Sequence, residues 1–244
     1  MSGDLARREE LGEVVARLSS HDVDHRERGR LLARLTALVA AGVRAAGGRA
    51  TVSGKWLADL VMDLAPHVPV RDLLTLRQHH EGRSGDQLAE ALITSAARAT
   101  ATVGAAGGAL SAMDLAAPPL LLTAPVQLAA ETLAVIAIEL KLVAELHVAY
   151  GRTPSGTRSQ VATAYVSSWA GKHGIDVGGG PASMAAVLTA AGRQQLRGRV
   201  LRRLGRNVTT LTPFLAGAVA GAELNRRETA KLGAALVKDL RGRR

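Results

Sequence analysis

The stretch ATATVGAAGGALSAMDLAAPPLLLTAPVQLAA, residues 99–130, decides how this chain is read, because Asp114 is its only charged residue. Small and apolar side chains fill the rest, and Pro118, Pro119 and Pro125 interrupt it. Such a stretch must be buried, in a protein core or in a bilayer. The uninterrupted apolar run from Leu115 to Ala130 is shorter than the roughly 20 residues that span a membrane, and prolines break it. After the break a second helix is expected from about Thr123–Pro125 to Tyr150, with Gly151 as its C-terminal cap. At about 100° per residue, Gln127, Glu131, Lys141, Glu145 and, at the edge, Glu139 fall on one side of it, opposite Leu133, Val135, Ile136, Leu140, Val143 and Ala144. Three carboxylates on a stripe do not suit a lipid-facing span. The pattern predicts a helical hairpin packed in a bundle, with one polar edge in water. An inserted hairpin is the alternative.

Composition agrees with helices. Hydrophobic residues make up 47% of the 244, but aromatics only 2%. β-Sandwiches and barrels draw on aromatic and β-branched side chains, whereas an Ala/Leu-rich chain suits helices packed closely through small residues. The expected class is all-α, a multi-helix bundle around this small-residue-rich hairpin. There is no cysteine, which excludes disulfides, Cys-ligated metals and Cys nucleophiles. The N-terminal residues show no apolar signal-peptide core. A cytoplasmic protein is expected, peripheral at the inner face of the membrane if it docks there.

Outward from the hairpin, residues 4–18 and 24–46 read as charged helices, the second with Leu31, Leu32, Leu35, Leu38 and Val39 at helical spacing. Trp56–Leu64 reads as a short helix stopped by Pro66 and Pro69, and Val70–Leu74 starts another. The sequence His79-His80-Glu81 is a polar turn, without the i, i+4 spacing of helical metal ligands. From Asp86 onward Leu88, Leu92, Ala96, Ala99 and Val103 form a stripe. Residues 1–84 are read as an N-terminal helical region and 85–244 as the helical core with a basic C-terminal part. Further helices are expected over Ser159–Lys172, 182–207 and 213–241.

Charge is unevenly placed. Residues 1–98 carry a net +1, residues 99–151 a net −3 and residues 152–244 a net +12. The sharpest local signal lies in the last of these. Over 193–206, Leu196, Val200 and Leu204 cluster on one helical face, with Arg193, Arg197, Arg199, Arg202, Arg203 and Arg206 supplying the charge around it. A basic amphipathic helix can lie on an anionic membrane surface, or contact nucleic-acid phosphate. Scarce aromatics count against single-strand binding. A solvated arginine-rich face is the plain alternative.

No catalytic, cofactor-binding or metal motif emerges. Gly178-Gly179-Gly180 lacks the Gly-Lys-Ser/Thr of a phosphate loop and reads as a linker. Asp114, alone in apolar sequence, with Glu131 or Glu139, is the one place where an unrecognised enzyme site would fit. Two GxxxG pairs, Gly104 with Gly108 and Gly217 with Gly221, ask first for a packing explanation. They predict that the helix over 99–116 meets the helix over 213–225.

Two segments carry a family resemblance. One is Ala105–Pro119, AAGGALSAMDLAAPP, followed by the apolar helix that closes on Ala144–Gly151, AELHVAYG; the other is Thr212–Asn225, TPFLAGAVAGAELN. Together they resemble the EcsC family over roughly residues 86–230, with Arg226-Arg227 after Asn225 as a departure from its apolar pattern. The resemblance implies an all-helical bacterial protein associated with membrane processes. It implies no reaction and supplies no catalytic residue.

Overall fold

A computed structural model describes residues 2–20, 22–45, 54–115, 124–173 and 214–242. Among the described residues there are eight α-helices, one 3-10 turn and no strand. The helices are α1 (Ser2–Leu18), α2 (His25–Ala45), α3 (Gly54–Leu64), α4 (Leu73–His79), α5 (Gly85–Leu115), α6 (Ala124–Ala149), α7 (Arg158–Lys172) and α8 (Phe214–Gly242), with the 3-10 turn at Ala65–His67. The chain is an all-α bundle.

Helix α5 makes its most extensive contact with α8 and its next with α6, while α1, α2, α3, α4, α7 and α8 all touch α6. Helix α6 therefore lies at the centre. The stripe Leu88, Leu92, Ala96, Ala99 and Val103 is buried on α5, and Leu32, Leu35, Leu38 and Val39 are buried on α2. These residues join Leu133, Val143, Leu146, Trp169 and Leu236 in one continuous apolar cluster. The connection over 116–123 and the expected helix over 182–207 lie outside the described residues.

Local chemistry fixes the helix ends. At the end of α6, Gly151 takes φ +64. Its N–H donates to Val148 O and that of Arg152 to His147 O. This paired closure needs a left-handed residue, which glycine adopts without a Cβ clash. Thr157 caps α7, with its hydroxyl accepting from Gln160 N and the Gln160 side chain accepting from Thr157 N. The expectation of a helix beginning at Val70 is corrected. Asp72 Oδ1 accepts from Thr75 N at 2.8 Å, so Asp72 is the N-cap and α4 starts at Leu73. Val70 and Arg71 precede the helix, in a segment shaped by Pro66 and Pro69.

The polar edge of α6 is the main correction. Gln127, Glu131, Glu139, Lys141 and Glu145 do not face water; all five are buried. The angular pattern on α6 is as the sequence predicts. Neighbours from α5, α7, α8 and the segment before α4 cover the polar side as well as the apolar one.

Candidate functional site

The buried polar stripe of α6 divides into three groups along its length. Nearest the start of the helix, Gln127 Nε2 donates to Gly107 O at 2.8 Å and to Glu131 Oε1 at 3.2 Å. The Glu131 carboxyl lies so close to Gly107 that a Cβ there would fall 2.1 Å from Glu131 Cδ. Glycine at this position makes room for the carboxylate between α5 and α6.

In the middle, Glu139 accepts from Trp169 Nε1 at 2.8 Å through Oε2 and from the Thr229 hydroxyl at 3.0 Å through Oε1. His173 Nε2 stands 3.3 Å from Oε2. The line continues into α5, where the Thr229 and Thr100 hydroxyls meet at 2.9 Å and Asn225 Nδ2 donates to Thr100 O at 3.1 Å. The Thr229 hydroxyl proton goes to Glu139, and the Thr100 hydroxyl also lies 3.1 Å from Ala97 O, an acceptor within its own helix. Burial alone would push the Glu139 carboxyl up. The neighbouring His173, with the Trp169 and Thr229 donors, outweighs burial and holds the group below its ordinary value.

Toward the end of α6, Arg71 makes a bidentate pair with Glu145, Nε to Oε1 at 2.8 Å and Nη2 to Oε2 at 2.9 Å. Glu145 is 0% exposed, and Lys141 Nζ, one turn earlier, lies 2.8 Å from its Oε1. Lys141 also donates to Pro69 O at 2.5 Å. Burial pushes the Lys141 ammonium below its ordinary value, against the pull of Glu145. The fork geometry of guanidinium on carboxylate is what an ion pair needs to survive burial.

Both oxygens of Glu139 and both of Glu145 are therefore engaged by donors of the chain itself. These groups brace helices against one another. Among the described residues, no three His, Asp or Glu side chains converge as a metal site. Asp114 lies in the last turn of α5, and its side chain lies outside the described residues.

The remaining sequence-predicted positions separate into two sets. Arg193, Arg197, Arg199, Arg202, Arg203 and Arg206 lie outside the described residues. Gly104 and Gly221 face each other between α5 and α8: a Cβ on Gly104 would stand 2.6 Å from Gly221 O, and one on Gly221 3.2 Å from Gly104 O. Gly108 belongs to α5 and Gly217 to α8. The sequence does not single out Arg71, Trp169, Thr229 or His173 as partners of the stripe. A lone arginine beside Pro69 carries no local signal of a contact 74 residues away.

Compared with protein-family models, curated proteins and solved structures, the chain matches none.

Proposed function

We propose that this chain is a non-enzymatic, membrane-associated helical protein, cytoplasmic and peripheral, that docks on an anionic membrane surface through its arginine-rich segment 193–206. The observation that carries this reading is the distribution of charge. Residues 152–244 carry a net +12. Glu131, Glu139 and Glu145, three of the four acids that make residues 99–151 negative, are buried against internal partners. The acids nearest the basic part in sequence thus contribute little to the outer field. A positive field of this kind attracts anionic headgroups at about 1 kcal/mol per basic residue near the surface. No helix among the described residues is long and apolar enough to cross a membrane.

Membership of the EcsC family belongs to the same proposal. Its support is that α5, which carries the first resembling segment, packs against α8, which carries the second, with Gly104 just before the first segment meeting Gly221 in the second, and that Tyr150-Gly151 closes α6 with a left-handed cap.

Vesicle flotation tests the docking. The protein is expected to float with anionic vesicles at low salt and to be released as salt rises. Replacing Arg199, Arg202, Arg203 and Arg206 by glutamine should reduce flotation. Equal binding to neutral and anionic vesicles, or no binding at low salt, overturns the reading. A gel shift with nucleic acid that weakens steeply with salt and needs no lipid would move the same arginines to phosphate recognition. Extraction by detergent alone would point to an inserted hairpin.

A further inference from the structure

Large apolar side chains are exposed at few places among the described residues: Val70 (42%), Leu73 (39%), Leu74 (68%) and Val219 (66%). Three of these four fall within five consecutive residues. That concentration is unlike the scatter of single apolar residues on an ordinary surface. The segment is also held from beneath. Arg71, between Val70 and Asp72, forks onto Glu145, and Lys141 donates to Pro69 O. Asp72 caps α4, and Leu76, fully buried, fastens α4 to the core. Two charges buried on α6 thus keep the backbone under an apolar tip in place. Hydrophobic residues pinned at the surface in this way do not collapse back into the core, and rigid support is what a contact site needs.

The surroundings indicate what the tip would meet. It lies toward the end of the bundle where α6 and α8 finish and α5 begins, tied together by Tyr150 Oη donating to Asp86 and by Arg241 Nε donating to the same carboxylate. The segments meeting there, 66–86, 150–158 and 238–242, carry seven basic and four acidic side chains. Pairing takes up basic groups as well as acids: Arg71 is held by Glu145, Arg83 by Glu81 and Arg241 by Asp86, while Asp72 caps α4 and Asp239 pairs with Lys172. Arg77 and Arg158 are exposed on the same end. Apolar side chains bordered by an excess of guanidinium groups match the acyl boundary and anionic headgroups of a membrane surface.

We infer that Val70, Leu73 and Leu74 form a membrane-inserting tip, which enters the headgroup region of an anionic bilayer while Arg77 and its basic neighbours contact the lipid phosphates. This rests on the membrane-docking reading above and gives that docking a second contact and an orientation. The end of the bundle bearing α4 faces the lipid. Val219 lies 22 residues before Arg241 on α8, about 33 Å at 1.5 Å per residue, and stays in water.

The chain has no cysteine, so single positions can be labelled cleanly. Leu74→Cys and Val219→Cys, each carrying an environment-sensitive fluorophore, are mixed with phosphatidylcholine vesicles with and without phosphatidylglycerol. The label at position 74 should brighten and shift to the blue only with the anionic vesicles, and the label at 219 should not respond. The double variant Leu73→Ser/Leu74→Ser should bind anionic vesicles about tenfold more weakly, since withdrawing two leucines from the interface removes on the order of 1–2 kcal/mol. Its melting temperature should stay near that of the parent, because both side chains are exposed. If the parent protein floats but the label at 74 stays aqueous, or the double variant floats equally well, the tip is overturned and the docking reading stands. A response at 219 in place of 74 also overturns it. If the parent protein does not float with anionic vesicles, both readings fall.

Discussion

Gly104 and Gly221 are in contact through their backbones, and the contact is asymmetric. A Cβ on Gly104 would stand 2.6 Å from Gly221 O and 2.8 Å from Asn225 Nδ2, whereas one on Gly221 would stand 3.2 Å from Gly104 O. The first distance is below any tolerable carbon–oxygen approach; the second asks for a small adjustment. Gly104→Ala should therefore destabilise the protein by about 2 kcal/mol or more, as overpacking does. Gly221→Ala should cost less than about 1 kcal/mol, because alanine recovers helix propensity. Leucine at either position should be worse than alanine. Thermal melting of the four variants checks the order, and equal melting temperatures for Gly104→Ala and Gly221→Ala would refute the asymmetry.

Removing Arg71 leaves Glu145 buried with Lys141 as its remaining cationic partner. Arg71→Ala should cost about 3 kcal/mol, most of it from the carboxylate left behind. The double variant Arg71→Met/Glu145→Met should be less destabilised than the sum of the two single variants. Urea unfolding of the double-mutant cycle should give a coupling of about 1–3 kcal/mol, and a coupling near zero would show that the pair acts independently.

Glu139 sets a dependence on acid. Its folded pKa is lowered, so the folded protein binds fewer protons than the unfolded chain in the carboxylate range. Its stabilising contribution is then present at neutral pH and above the unfolded value of about 4.3, and is lost as pH falls through the lowered folded value. Glu139→Gln should be less stable at pH 7 and should show a shallower loss of stability below about pH 4.3. Urea midpoints measured across that range decide the matter.

Thr229 joins α8 to α6 through the Glu139 carboxylate and to α5 through the Thr100 hydroxyl. Thr229→Val keeps the shape and removes both contacts, at a cost of about 1–3 kcal/mol because two buried polar atoms lose a partner. Thr229→Ser keeps the hydroxyl and should recover most of that loss. If the valine and serine variants melt together, the effect comes from packing and not from the hydrogen bonds.

The helices were legible because their signals are local. Leu88, Leu92, Ala96, Ala99 and Val103 announce a buried face at helical spacing, and Gly151 announces an end. The start of α4 at Leu73 is hidden in the sequence because Asp72, between Arg71 and Leu73, reads as one more charged residue and its capping role shows only in the folded backbone. The polar stripe of α6 is legible as a stripe, but it is buried and not in water. Periodicity reports which residues share a face. It does not report that Arg71, Trp169 and Thr229, 74, 30 and 90 residues from their carboxylates, arrive to cover it. The arginines of 193–206 rest on sequence alone, since they lie outside the described residues.

The position of Glu139 also has a consequence for the order of events during synthesis. One of its oxygens is satisfied by Trp169 and the other by Thr229, which leaves the ribosome 90 residues after the carboxylate. Until α8 emerges, the nascent chain holds a central helix whose middle carboxylate lacks its Thr229 donor, and α6 has an incentive to remain hydrated. A chain cut short before Thr229 should therefore be an open, aggregation-prone product.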